Sequence, residues 1–174
     1  MKKMRNTYID LFGQRVNTSI TTLKLDMIPA TAELKQLLKL KHLRRLRLSM
    51  SNIKDEGIRI IAAHPTLEDL NLQFTAVTDR GIGYLTTMPS LRYLRLKECD
   101  EISNASAAHF NAMPKLEDLA IQDANVDLQG LMQLANPKLR FLCIDDWQVK
   151  ESFTALKQLS IQLPDCEITC LLYT

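Results

Sequence analysis

The chain has 174 residues, 46% of them hydrophobic and 24% charged, which suits a globular domain able to bury a sizeable core. Lys and Arg number 22 against 20 Asp and Glu, a formal net charge of +2, so no general excess of positive charge points to nucleic acid or an acidic membrane. No apolar run approaches the roughly 20 residues that cross a bilayer, and the start, MKKMRNTYIDLFGQR, has a basic tip but no continuous apolar stretch, which argues against a secretory signal.

Residues 1–19 stand outside the pattern that follows. Tyr8, Ile9, Leu11 and Phe12 can share one face of a short helix, and a cap of this kind is what the open end of a stacked repeat array needs. An amphipathic membrane helix is the weaker reading, because the basic residues flank the apolar group without forming a polar face. From Ile20 a repeat sets in. Ile20, Leu23 and Leu25 open the first copy, and Ala32 to Leu40 follows in helical spacing. The spacing L-x-x-L-x-L then returns from Leu43, Leu67, Leu91, Leu116 and Leu139, at steps of 24, 24, 25 and 23 residues. In such a stretch alternate side chains point inward from a short strand and the residues between them point out.

Each repeat position has a task. After the strand comes a tight interior turn at Ser51, Thr75, Cys99 and Ala124. The first three can donate a hydrogen bond to a neighbouring carbonyl and Ala124 cannot, so the stack should weaken there. Ile53, Val77, Ile102, Val126 and Val149 tuck inward. Asp55, Asp79 and Ser103 or Asn104 read as N-caps of an outer helix. Gly57, Gly81 and Gly130 recur at one point of that helix, suggesting close packing on the preceding repeat. The pairs Ile58 with Ile61, Ile82 with Leu85, Ala107 with Phe110 and Leu131 with Leu134 face the core. Pro65, Pro89, Pro114 and Pro137 close the helices. The sixth copy departs: Trp147 stands at the interior-turn position, where it reads as part of a closing layer or as an exposed binding anchor. The helix signal is delayed to about Glu151 to Ile161, and Glu167 to Tyr173 reads as a last strand.

A step of 23 to 25 residues lies inside the range of leucine-rich repeats. Over about Ile20 to Ile168 the chain resembles that family, and most of all its longer, helix-bearing forms. These include the cysteine-containing repeats of F-box adaptors and many bacterial repeat proteins. IKDEGIRIIAAHP (Ile53 to Pro65), VTDRGIGYLTTMP (Val77 to Pro89) and LRYLRLKECDEIS (Leu91 to Ser103) carry the likeness. The expected fold is α/β, a right-handed solenoid of about six repeats. An inner parallel sheet faces outer helices, with a cap at 1–19, repeats over 20–150, and a closing helix and strand over 151–174, all in one domain.

No catalytic pattern stands out. His42, His64 and His109 fall near the ends of outer helices and read as solvated, Asp145 and Asp146 are adjacent on a strand and form no acid–base pair by spacing, and no phosphate-binding or nucleophile motif is present. The four cysteines, Cys99, Cys143, Cys166 and Cys170, form no Cys-x-x-Cys pair and stand at no zinc-ligand spacing to a histidine. They read as free, mostly buried thiols, Cys99 as a structural donor. Neither enzyme activity nor a metal or other cofactor is expected.

The informative residues lie on the concave side of the strands. One row runs Arg45, Asp69, Tyr93, Asp118, Phe141; its neighbour runs Arg47, Asn71, Arg95, Ala120, Cys143; Lys97 and Asp145 continue the face. Tyr and Arg are enriched at binding hot spots, which makes Arg45, Arg47, Asp69, Asn71, Tyr93, Arg95, Lys97, Asp118, Phe141 and Asp145 the candidate protein-binding set. The flanking row Arg44, Glu68, Arg92, Glu117, Arg140 alternates in sign, as a stack needs simply to avoid repulsion. The expected function is a cytoplasmic, monomeric protein-interaction module, in one version a bacterial protein delivered to a host cell. The alternatives are a scaffold subunit working through its edges and caps, or a ubiquitin-ligase-type adaptor without its F-box. Nucleic acid is disfavoured by Glu68, Asp69, Glu117 and Asp118 among the arginines.

Overall fold

The apolar alternation builds short strands that stack in sequence order. In the computed structural model, which describes residues 7–28, 30–150 and 152–171, seven parallel strands form one sheet: β3 (Thr22–Lys24), β4 (Arg45–Arg47), β5 (Asp69–Asn71), β6 (Tyr93–Arg95), β7 (Asp118–Ala120), β8 (Phe141–Asp145) and β9 (Glu167–Leu171). Leu46, Leu70, Leu94, Leu119 and Leu142 are paired in register and fully buried. Behind them lie α1 (Asp55–Ile61), α2 (Asp79–Leu85), α3 (Ser106–Ala112), α4 (Leu128–Leu131) and α5 (Phe153–Gln162). This is the expected α/β solenoid.

The first turn of the stack is tighter than an α-helix. Thr31–Lys39 is a 3-10 helix, whose three-residue turn keeps Leu34, Leu37 and Leu40 eclipsed on one line into the core. Ahead of it, the short helix expected at Tyr8 to Phe12 is a β-hairpin. β1 (Tyr8–Leu11) pairs antiparallel with β2 (Gln14–Asn17). The two loop residues, Phe12 and Gly13, both have positive φ, 52° and 74°, the twist that a two-residue hairpin loop favours. Leu11 is buried, Ile9, Phe12 and Val16 pack on the core, and the Phe12 N–H donates to Glu33 of the 3-10 helix at 3.0 Å. Residues 1–6 of the expected cap lie outside the described residues, as do Glu151 and 172–174 at the other end.

The residues expected to cap their own helices bind the next repeat. The N-cap positions fall on Lys54, Thr78, Ala105 and Asp127. The Asp55 carboxylate accepts the N–H and hydroxyl of Thr78 at 2.9 and 2.7 Å. The Asp79 carboxylate accepts the Ser103 N–H and the hydroxyls of Ser103 and Ser106. The Asn104 side chain exchanges two bonds with Asp127. Glycine makes room for these links: a Cβ at Gly81 would strike the Asp55 carboxylate, and one at Gly130 the Asn104 amide. At Asp79 burial alone would raise the carboxyl pKa, but the bonds from Ser103 and Ser106 outweigh it and hold the group below its ordinary 3.8.

Inside the stack the interior-turn ladder forms in part as expected. Thr75 Oγ1 donates to the Leu72 carbonyl at 2.6 Å, the Cys99 thiol donates to the same carbonyl at 3.1 Å, and Ser51 accepts the Ile53 N–H at 3.4 Å. The gap left by Ala124 is filled from the sixth repeat. Gln148, fully buried, donates through Nε2 to the carbonyls of Ile121 at 3.0 Å and Val126 at 2.8 Å. Gln148 thus takes the interior position read as Trp147, because β8 runs on to Asp145 and a 3-10 turn, Asp146–Val149, shifts the chain by one residue. Trp147 is left 40% exposed.

Candidate protein-binding face

The strand register places the candidate residues side by side. Arg45 pairs with Asp69, Asp69 with Tyr93, Tyr93 with Asp118, and Asp118 with Phe141; Arg47, Asn71, Arg95, Ala120 and Cys143 form the second row. Since their neighbours along each strand point into the core, these side chains occupy the face turned away from the helices. Adjacent strands stand ~4.8 Å apart, so each row is continuous. Phe141 is 51% exposed, Arg45 and Arg47 are exposed, and Asn71 and Tyr93 half-buried.

The charges on this face are largely spoken for. Arg95 Nη1 meets Asp69 Oδ1 at 2.6 Å, and Arg45 Nε lies 4.0 Å from Asp69 Oδ2. Asp69 therefore holds Arg95 of the next strand by a hydrogen bond and attracts Arg45 of the preceding one at longer range. Asp118 is pushed above its ordinary carboxylate range by burial; Arg95 opposes the rise and Asp69 adds to it. Lys97 lies 3.7 Å from Glu98. The flanking row pairs as Arg44 with Glu68 at 3.2 Å and Arg92 with Glu117 at 2.6 Å. Such half-exposed pairs contribute ~0–1 kcal/mol each and set register more than stability.

Several expectations require correction. Asp145 is fully buried and is no part of an exposed face: its carboxylate accepts the Asp123 N–H at 2.6 Å, and burial pushes its pKa up although that bond opposes the rise. His64 is also buried and not solvated, because the turn after α1 sets it against the carbonyls of Leu37 and Leu40 in the preceding repeat. Burial lowers its pKa below the ordinary 6.5, the carbonyls of Leu37 and Leu40 opposing. Cys143 accepts the Gln122 Nε2–H at 2.8 Å, and burial raises its thiol pKa. Cys99 is buried and the other three thiols partly so; all four are free. Among the described residues no group of three or more His, Cys, Asp or Glu could hold a metal ion, and no helix is long and apolar enough to cross a membrane.

One feature escaped the sequence reading. Met27, Met50 and Phe74 occupy one register position just beyond β3, β4 and β5, and are 67%, 77% and 44% exposed. The signal was available: each lies two residues past the last strand leucine, at Leu25, Leu48 and Leu72. A strand reading that counts only inward positions passes over it.

The leucine-rich repeat family profile matches residues 39–62 and 63–85. Among solved structures the chain is similar to an internalin (inlF) from Listeria monocytogenes str. 4b F2365, with a TM-score of 0.56 and 19% identity; the likeness covers 92% of this chain and 51% of that one. The chain therefore spans about half the length of that internalin, and a likeness at this identity concerns the fold. No curated protein matches the sequence. The two matched segments are leucine-rich repeats, and the same strand register runs on through the rest of a seven-stranded parallel stack with the fold of a leucine-rich repeat solenoid.

Proposed function

We propose that this chain is a protein-interaction module that binds a protein partner through the open face of its sheet. The observation that carries the reading is the row Arg45–Asp69–Tyr93–Asp118–Phe141, in which Asp69 fixes Arg95 of the neighbouring row beside an aromatic and Phe141 stands half out of the surface. Preset arginines and exposed aromatics lose little freedom on binding, which is where hot-spot energy comes from. Arg47, Asn71 and Lys97 complete the face, and the module acts as a monomer. The VTDRGIGYLTTMP-type repeat supports a bacterial protein working in the cytoplasm or on a host partner after delivery, in preference to a ubiquitin-ligase adaptor.

The test is site-specific photo-crosslinking. A benzophenone amino acid in place of Phe141 or Tyr93 should capture one partner from cell lysate, and Phe141→Asp should abolish its co-purification. Arg95→Glu is less clean, because it sets a third carboxylate beside Asp69 and Asp118. A second reading, a scaffold subunit docking through its closing layer, is favoured by Phe153 and Ile161 of α5, which are 82% and 71% exposed. Capture from position 153, with none from 141 or 93, would replace the first reading by the second.

A further inference from the structure

The rim at the C-terminal ends of the strands changes character halfway along. Met50, Phe74, Glu98 and Asp123 follow one another there, each with positive φ (60°, 58°, 54° and 54°). The Met50, Phe74 and Glu98 N–H groups bond the carbonyls of the next repeat. Met27 precedes them at the same register. Glycine or asparagine meets a left-handed backbone at least cost. Methionine and phenylalanine there bring large side chains that the fold leaves exposed. Three neighbouring apolar groups then give way to Glu98 and Asp123, which with Asp100, Lys97 and Trp147 line a shallow depression.

We propose that this rim is a second docking surface, for a partner polypeptide segment that is apolar at one end and carries Arg or Lys at the other. Met27, Met50 and Phe74 cover the apolar end; the cation enters beside Glu98 and Asp100 against Trp147, displacing Lys97 from its place 3.7 Å from Glu98. The carboxylates supply charge complementarity, and an indole is the best aromatic partner for a guanidinium or ammonium. From Phe74 to Trp147 is three strand steps, ~14 Å. That separation corresponds to about four residues of extended chain or about nine of helix. The surface lies beyond the strand ends and does not rest on the open-face reading.

A displayed library of random 16-residue peptides selected against the intact chain tests this. Enriched peptides should pair Leu, Met or Phe with Arg or Lys at one of those two spacings. A synthetic copy of the best peptide, followed by fluorescence anisotropy, should bind at least tenfold more weakly to Phe74→Glu and to the double variant Glu98→Lys, Asp100→Lys. Replacing its basic residue by Glu should recover binding to the double variant. Phe141→Asp should leave the affinity unchanged, which separates this surface from the open face. The substituted side chains are exposed or half-exposed, and circular dichroism should report unchanged folding. Absence of enrichment, unaltered binding to the rim variants, or loss with Phe141→Asp would each overturn the proposal. So would self-association of the parent chain abolished by Phe74→Glu, which would make the occupant a second copy.

Discussion

The central junctions of the stack and its last one are built from different bonds. Between the second and fifth repeats, backbone meets backbone: Met50, Phe74 and Glu98 N–H donate to the carbonyls of Gln73, Lys97 and Gln122, each at 2.9 Å. Between the fifth and sixth the strand bond persists, from the Ile121 N–H to the Cys143 carbonyl at 3.0 Å, but at the rim position side chains take over. The Asp123 N–H finds the Asp145 carboxylate at 2.6 Å, and Gln148 reaches back to Ile121 and Val126. The step into the sixth repeat is 23 residues, one or two shorter than its predecessors, and the chain leaves its strand in a different phase. The Asp145 carboxylate and the longer Gln148 amide absorb the slip. A solenoid tolerates an irregular repeat when buried donors and acceptors can still find one another.

Removing the side chains should break that difference most sharply. Gln148→Leu leaves two buried carbonyls without a donor and should cost about 3 kcal/mol. Cys99→Ala, in the backbone-bonded region, removes one weak donor and a small volume and should cost about 1–2 kcal/mol. Urea unfolding of the two variants measures both. Equal losses would mean that Gln148 contributes no more to the last junction than one weak donor does to a central one.

Acid titration should separate the regions by sign. Burial raises the pKa of Asp145 above the ordinary 3.8. Its environment therefore costs nothing below that pH and destabilises the fold as pH rises through the raised value. Asp145→Asn should be more stable than the parent at neutral pH, and the gain should vanish in acid. The hydrogen bonds at Asp79 lower its pKa despite burial, so its contribution is present above 3.8 and lost as pH falls through the lowered value. Asp79→Ala should be less stable at neutral pH, with the deficit shrinking in acid. Melting temperatures between pH 7 and pH 3 would show both slopes.

The smallest effect is expected at His64. Burial lowers its pKa below 6.5, so the unfolded chain takes up the proton first and stability falls as pH drops below 6.5. His64→Gln should flatten the melting temperature between pH 7 and pH 5. An unchanged slope would assign that dependence to other groups.

The stack was readable because it is written in a repeated local code. L-x-x-L-x-L at a near-constant step dictates a strand with one buried face, and five copies dictate their register, so Arg45, Asp69, Tyr93, Asp118 and Phe141 could be aligned before any coordinates. Where two local codes compete, the reading slipped. Tyr8, Ile9, Leu11 and Phe12 fit a helical face as well as a strand, and only the left-handed pair Phe12-Gly13 and packing against the 3-10 helix decide for a hairpin.

What the sequence by itself determined is the period, the inward leucines and the identity of the rows facing out, since these follow from side-chain alternation within a few residues. The tertiary structure decided every question about what lies next door. Asp55 and Asp79 look like helix caps until the following repeat presents Thr78 and Ser103 to them. Asp145 looks exposed until Asp123 closes over it, and Trp147 and Gln148 exchange roles only when the shortened repeat is seated on its neighbour. The physical reason is common to all: a polar side chain goes where a buried donor or acceptor needs it, and in a solenoid that partner sits one repeat away.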